Sequence, residues 1–366
     1  MRSLAEPGCL CLMLAALASA AEDRYAGAKA CGACHPKHYA SQSASTHALS
    51  LHRSQEISKF PYLPEGRAGE HHEFRKTDAG YWVTVKAGGS QMEIPIHWIL
   101  GANDQGLTFF SRLGAGEYLE HRLSYYTRKG GYDVTAGHAA TRPGTLEEAL
   151  GARMSPAEAF RCLACHSTSL AQTASGPDFD SVVAGVTCER CHGPGAAHVE
   201  AMKSGSKLRQ IRNPGKLPGE RLVSMCGECH RTEPPPGVAF DDPIVTRFQP
   251  VGLQMSACFS SSDGALTCTT CHNPHENARR GDDRYYEQKC LACHNPQTGK
   301  QPRPPLPPDL KNAGRQRASG ALKASSPVPG KPCRTQARAG CIGCHMPKTK
   351  PLAWVEFTDH WIRARK

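Results

Sequence analysis

The sequence predicts a mainly α-helical and irregular fold whose interior is filled by something other than aliphatic side chains, with a small antiparallel β insert in the N-terminal half. Three observations lead there. Hydrophobic residues make up 39% of the 366 positions, below the roughly 45–50% of ordinary globular domains. The 35 glycines and 28 prolines interrupt the chain too often for long regular elements. The 18 cysteines and 18 histidines recur together as one motif, while strand-like runs are confined to a single stretch before residue 130.

At the N-terminus, residues 1–20 read as an export signal. Arg2 precedes an apolar stretch from Cys9 to Ala18, and Ala18-Ser19-Ala20 has the form of a cleavage site. An uncleaved anchor is the alternative, but an apolar run of about ten residues is too short to span a bilayer. No internal membrane span is expected. Export implies a periplasmic or otherwise extracytoplasmic location, in an oxidising compartment.

Of the sixteen cysteines beyond that signal, fourteen form Cys-x-x-Cys pairs, each followed at once by histidine. The copies are Cys31/Cys34/His35, Cys162/Cys165/His166, Cys188/Cys191/His192, Cys226/Cys229/His230, Cys268/Cys271/His272, Cys290/Cys293/His294 and Cys341/Cys344/His345. Cys-x-x-Cys-His is the attachment motif of c-type haem: two thiols bond to the porphyrin edge and the adjacent imidazole ligates the iron. Zinc ribbons do not need a histidine after every pair. Thioredoxin-like motifs occur singly beside a βαβ pattern, which is missing here. Structural disulfides leave the invariable histidine unexplained. Seven covalently attached haems c follow, with seven proximal histidines.

Eleven histidines lie outside the motifs, enough for a second imidazole on each iron. His275 follows His272 by three residues, a reach of about 10 Å. So short a segment cannot pass around a porphyrin, so His275 is expected on a neighbouring haem. His198, six residues after His192, invites the same argument. His360 has no motif after it and would cap the C-terminus onto a haem. His47 and His138 are further distal candidates. His97 and His121, on predicted strands, are read either as distal ligands or as ordinary strand residues. His38, His52, His71 and His72 are expected at the solvated surface. Methionine is the alternative distal ligand, but Met346 adjoins its own proximal His345, and Met92, Met154, Met202, Met225 and Met255 have no special context.

Between His35 and Cys162 lie 126 residues free of motifs, so the expected organisation is a signal (1–20), a first haem-binding segment (21–70), a β-rich insert (71–144) and a haem-dense domain (145–366). In the insert, Tyr81 to Val85 and Met92 to Ile96 flank Gly88-Gly89 as a hairpin, and Leu107 to Phe110 and Glu117 to Tyr126 add two strands. Ser155-Pro156-Ala157-Glu158 is a capping box that starts a helix running into Cys162. Residues 301–332 read as a Pro-rich extended loop. Cys258 and Cys333 remain as one candidate disulfide, the alternative being two free thiols. The formal charge is +11, but each haem brings about one net negative charge when oxidised and two when reduced. The basic excess is therefore read as internal compensation, with a docking patch for an acidic redox partner as the secondary reading. No nucleic-acid partner is expected.

Three segments carry a family resemblance: Gly185-Val-Thr-Cys188-Glu-Arg-Cys191-His192-Gly-Pro-Gly-Ala-Ala-His198, Leu266-Thr-Cys268-Thr-Thr-Cys271-His272-Asn-Pro-His275, and Cys341-Ile-Gly-Cys344-His345-Met-Pro-Lys with Phe357-Thr-Asp-His360. The chain resembles the multihaem cytochromes c with doubled motifs, relatives of the tetrahaem cytochrome c of ammonia oxidisers, pentahaem nitrite reductase and octahaem hydroxylamine oxidoreductase. The resemblance implies a multihaem cytochrome c fold with a haem-packed core and distal roles for His198, His275 and His360. The nitrite reductases place Cys-x-x-Cys-Lys at the catalytic iron, and no such motif stands here. Nothing points to the tyrosine cross-link of the hydroxylamine oxidases, and the motifs number seven rather than eight.

The function expected is therefore transfer of electrons through closely packed, mostly bis-histidine haems, to and from redox proteins or a membrane electron-transfer complex, with no catalytic residue assigned. The alternative is an oxidoreductase acting on a small nitrogen or sulfur oxyanion at one open haem, placed near the strand region by the open status of His97 and His121. In a third reading the β-rich insert docks the carrier onto a membrane complex.

Overall fold

Alternation of apolar and polar side chains between residues 80 and 126 does form strands, and the strands run well beyond both ends of that stretch. The computed structural model describes residues 24–294 and 340–364. Residues 1–20, read above as an export signal, the Pro-rich segment 301–332 and Cys333 lie outside the described residues. The chain divides into two units: residues up to Pro214 with His275–Asn277, and Gly215–Pro274 with the residues from Ala278 on.

Ten strands of the first unit form its two large antiparallel sheets: β1 (Leu51–Arg53), β2 (Gly66–Ala68), β3 (His72–Thr77), β4 (Gly80–Ala87), β5 (Ser90–Pro95), β6 (Trp98–Leu100), β7 (Gly106–Gly114), β8 (Glu117–Tyr126), β9 (Gly131–Val134) and β10 (Gly151–Met154); two short strand pairs follow, Ser167–Ser169 with Val183–Ala184 and Gln172–Thr173 with Gly176–Pro177. One sheet has the order β2-β3-β4-β5; the other runs β1-β6-β7-β8-β10, with β9 also paired to β8. The expected hairpin is present: Gly88 and Gly89 both take positive φ between β4 and β5, as a two-residue hairpin turn requires. The expectation of a mainly α chain with a small insert needs correction, because the two large sheets alone run from Leu51 to Met154 and short strand pairs follow them. β1, β2, β6 and β10 are three or four residues long, too short for an alternation to be read from sequence.

Period-two alternation explains the core. Along β4, Tyr81, Val83, Val85 and Ala87 are buried while Lys86 is exposed. They join Phe74, Ile94, Ile99, Leu107, Phe109 and Leu119 in one apolar cluster. A second cluster of Leu51, Trp98, Phe110, Tyr118 and Val182 receives Ala159 and Leu163 from the helix Pro156–Cys165. That helix begins with the anticipated capping box on Ser155 and Glu158. Leu163, fully buried, lies between Cys162 and Cys165, so the second attachment motif is pinned to the sheet by its own intervening residue.

The same alternation overturns the surface assignment of two histidines. His72 shares a face with Phe74 on β3 and is buried, its Nε2 2.8 Å from the Ala149 carbonyl. His52 is also buried, with Nε2 2.7 Å from the Leu49 carbonyl. On β8, His121 is buried and its Nε2 lies 2.6 Å from Ser111 Oγ. Burial pushes His121 down to about 3 and His72 to about 4, against about 6.5 in an unfolded chain. Both are neutral in the fold at neutral pH. Between pH 6.5 and 4 the unfolded chain takes up the additional protons, so stability is full above that window and falls as pH drops through it. The expected loss by pH 4 is on the order of 2–3 kcal/mol for each histidine. Melting followed by far-UV circular dichroism from pH 7 to 4 should show it, and His121→Gln or His72→Gln should flatten the profile. A native protein whose melting ignores pH here would contradict the assignment.

The second unit is built of short helices, Gly219–His230, Gln249–Gln254, Ala257–Ser260, Cys268–Cys271, Asp283–His294 and Cys341–His345, and one strand pair, Lys348–Leu352 with Val355–Thr358. Its buried apolar side chains are few, Leu222, Val223, Val245, Val251, Leu253 and Val355. Among the described residues no helix is long and apolar enough to cross a membrane.

Candidate haem sites

Every attachment motif touches a helix. Cys31 lies in Ala28–Gly32, Cys162 and Cys165 end Pro156–Cys165, and Cys226 and Cys229 lie near the end of Gly219–His230. Cys290 and Cys293 lie at the end of Asp283–His294, while Cys188–His192, Cys268–Cys271 and Cys341–His345 are single turns. One helical turn puts residues three apart on the same side, so both thiols of a pair face one edge.

Cys34 departs from this helical placement. It falls beyond the end of the helix Ala28–Gly32, in the turn before Pro36–Ser43, and its side chain is exposed. Cys293 and Cys344 are exposed as well, whereas the first cysteine of each of these three pairs is half-buried. The cause is local. The second thiol of each pair sits where its helix or turn runs out toward solvent, so fewer neighbours cover it. The backbone still keeps Cys34 in register for attachment, because Cys34 N and His35 N donate to the Cys31 carbonyl at 3.2 and 2.9 Å.

The imidazoles are oriented by backbone carbonyls. Nδ1 of His166 lies 2.9 Å from the Ser50 carbonyl, that of His192 3.0 Å from Arg212 and that of His345 3.1 Å from Arg363. Among histidines outside the motifs, His198 Nδ1 lies 2.5 Å from the Arg209 carbonyl and His360 Nδ1 2.9 Å from Thr358. An Nδ1–H donated to a carbonyl leaves Nε2 unprotonated and aimed away, the arrangement that metal-binding histidines use. Burial pushes His272 and His275 below the usual histidine range and His360 down to about 4, so all three are neutral donors at pH 7.

Motif histidines face non-motif histidines in three places. The ring centroids of His35 and His198 are 6.5 Å apart and nearly parallel, at 14°. Those of His192 and His275 are 6.0 Å apart at 18°. In the second unit His272 and His360 are 6.1 Å apart at 34°. Two imidazoles ligating one metal from opposite sides, each with its nitrogen at roughly 2.0 Å, have centroids about 6 Å apart. His275 thus faces the histidine of the third motif and not its sequence neighbour His272. His38, exposed as expected, packs against His275 with centroids 4.7 Å apart.

Thiols from different motifs also meet. Cys31 is hydrogen-bonded to Cys188, and that contact raises Cys31 and lowers Cys188 to about 7. Cys226 and Cys268 are joined in the same way, with Cys268 the lowered partner. The first and third motifs are therefore neighbours, as are the fourth and fifth.

Glu189, inside the third motif, is a functional residue that the sequence reading missed. It is 3% exposed. Its carboxylate accepts from Ala26 N at 2.7 Å, Gly27 N at 2.9 Å and Gly195 N at 2.8 Å, clamping the approach to the first motif onto the third. A carboxylate between the two cysteines, followed by glycines at 193 and 195, was the available signal. Two other glycines allow close approach. A Cβ on Gly185, whose φ is +77°, would fall 2.0 Å from the Ala48 carbonyl oxygen, beside His47. A Cβ on Gly252 would fall 2.6 Å from Trp361 N and 2.8 Å from the carbonyl carbon of His360.

The remaining candidates are held differently. His138 Nε2 lies 3.0 Å from Glu120 Oε2, and His121 is bound to Ser111 in the sheet. His97 precedes β6 instead of lying in a strand, receives Arg112 N on Nδ1 at 3.3 Å and stacks on Phe179. His47 accepts from Val186 N through its carbonyl, and Ser50, three residues on, holds His166. Cys258 is a free thiol among the described cysteines.

The donor set suits a porphyrin. Among the described residues no three His, Cys, Asp or Glu side chains converge as they would on a four-ligand metal ion, whereas two opposed imidazoles beside two thiols are what a covalently held haem needs from a chain.

Comparison with known proteins agrees. Residues 136–193, which include the second and third motifs, match the family model of cytochrome c554 and c-prime. The chain resembles the outer cell wall cytochrome OcwA with 17% identity and a TM-score of 0.53, over 93% of this chain and 79% of that one. It also aligns with the undecahaem cytochrome from the S-layer of Carboxydothermus ferrireducens, with 15% identity and a TM-score of 0.46, over 94% of this chain and 53% of the other. No curated protein matches the sequence. The fold is similar to that of the outer cell wall cytochrome, and the segment that holds the second and third triplets resembles the cytochrome c554 and c-prime family.

Proposed function

We propose that the chain is an exported heptahaem cytochrome c that passes electrons through a series of mostly bis-histidine haems. The three opposed imidazole pairs carry this reading. Bound haem supplies reversible one-electron chemistry at iron. The chain's own residues do the rest. His35 with His198, His192 with His275 and His272 with His360 hold the axial positions, and the shared turn around His47 and Ser50 offers His47 as the partner of His166. Backbone carbonyls fix the rings of His166, His192, His198, His345 and His360, and the thiol contacts bring the first motif beside the third and the fourth beside the fifth. Bis-imidazole ligation favours low potentials. The basic excess offsets propionate charge, and the carrier works outside the cytoplasm with redox proteins as partners. The export signal supports that location, as does the likeness to a cytochrome of the outer cell wall.

The test is a haem count with a redox titration of the purified holoprotein. Seven haems per chain by pyridine haemochrome and intact mass, most at low potential, are expected. A colourless folded chain, or one with fewer pigments than triplets, would refute the reading.

A second reading, an oxidoreductase acting on a small nitrogen or sulfur oxyanion at one open haem, is favoured by the scarcity of histidine after residue 215. There, four motifs share two other histidines, His275 and His360.

A further inference from the structure

In the first unit, the helix Ala196–Lys203 ends in a turn set by Gly205. A φ of +73° at that glycine lets Ser206 N reach the Ala201 carbonyl at 2.9 Å and Gly205 N the Met202 carbonyl at 3.3 Å. From the last helical residue, Lys203, as far as Pro214, the chain carries Lys203, Lys207, Arg209 and Arg212 and no carboxylate. All four cations are exposed. Glu200, the acid that precedes them, is bound to Arg24 at 2.8 Å. Among the described residues no carboxylate pairs with Lys203, Lys207 or Arg209. Two apolar side chains stand in the open within the same segment, Leu208 at 69% and Met202 at 39% exposure. Apolar side chains inside a charged rim are the make-up of a protein interface.

The backbone of this segment lies against two attachment sites. The Arg209 carbonyl orients His198, which faces His35, and the Arg212 carbonyl orients His192 at 3.0 Å. The Arg212 guanidinium donates to the Cys191 carbonyl at 3.0 Å, on the turn that also carries Cys188, the neighbour of Cys31. One stretch of chain thus holds ligands of the first and third motifs with its carbonyls and presents its cations and Leu208 to solvent.

We propose that residues 202–212 form the face on which an acidic redox protein docks to exchange electrons with the haems of the first and third motifs. This rests on the part of the heptahaem reading that puts haem on those two motifs. A rim of one sign raises the association rate of an oppositely charged protein by about ten- to a thousandfold, and salt screens the gain away. Transient redox encounters bury little surface, so a segment of this length is enough to receive one.

The experiment mixes the reduced holoprotein with oxidised plastocyanin, a blue-copper protein with an acidic face, in stopped flow from about 0.01 to 1 M ionic strength. At each encounter one ferrous haem iron becomes ferric and Cu(II) becomes Cu(I). The rate should fall about tenfold or more across that range. Lys203→Glu with Lys207→Glu should be about tenfold slower than the native chain at low salt and meet it at high salt, and Lys203→Gln with Lys207→Gln should lie between. Hexaammineruthenium(III), a cationic oxidant, should react with the Glu variant at least as fast as with the native chain. A native rate indifferent to salt, a Glu variant as fast as the native chain at low salt, or one slowed toward the ruthenium complex as well would overturn the proposal. A haem potential that shifts in the Glu variant at high salt would assign these lysines to haem propionates and also overturn it. A haem count below seven with the salt-dependent rate retained would bring down the heptahaem reading and leave this face standing.

Discussion

Replacing Glu189 by alanine should destabilise the first unit by about 4 kcal/mol. Three backbone N–H groups end on this one buried carboxylate, and hydrogen bonds to a charged acceptor contribute roughly 1.5–3 kcal/mol each, while a donor left without a partner costs about 1–3 kcal/mol. The loss is local in its origin. Ala26 and Gly27 lead into the helix that holds Cys31, so their release loosens the first motif relative to the third. Chemical denaturation of the holoprotein gives the free energy, and the Glu189→Gln variant separates charge from shape. Glutamine keeps one acceptor oxygen and should recover part of the stability. Unchanged unfolding of Glu189→Ala would show that the clamp contributes nothing.

His360→Met should move one haem, and only one, to a more positive potential. Methionine opposite histidine raises the potential of a c-type haem, and axial ligation spans about 0.8 V in all, so the displaced wave should stand clear of the others. Gly252→Ala tests the same contact from the other side. Its new methyl group would collide with the backbone at His360 and Trp361, pushing the imidazole back without changing its chemistry. Spectroelectrochemical titration reads both variants. If His360→Met leaves every wave in place, His360 does not ligate the haem held by His272.

Much of this arrangement was legible in the sequence where local rules decide it. The triplets declare themselves. The three-residue tether between His272 and His275 is too short to wrap a porphyrin, and His275 indeed faces another motif. Gly88-Gly89 and the Ser155 capping box mark a hairpin and a helix start by local chemistry alone. What was hidden depends on tertiary context. His52 and His72 belong to strands of three and six residues, and only their place in a sheet buries them. The contacts of His121 with Ser111 and of His138 with Glu120 were equally out of reach, because each partner arrives from another part of the chain. Glu189 carried only a partial local signal, because residues 26 and 27, which arrive on top of it, are 163 and 162 positions away in the chain.

Leu163 ties a pigment-attachment motif to a conventional greasy core, and both apolar clusters lie in the first unit. The two halves of the polypeptide therefore mature differently. The sheet half can condense on its own and offer Cys162 and Cys165 to the attachment machinery on a ready scaffold. Among its described residues the other half buries few aliphatic side chains, so covalently held porphyrin would have to supply most of its interior.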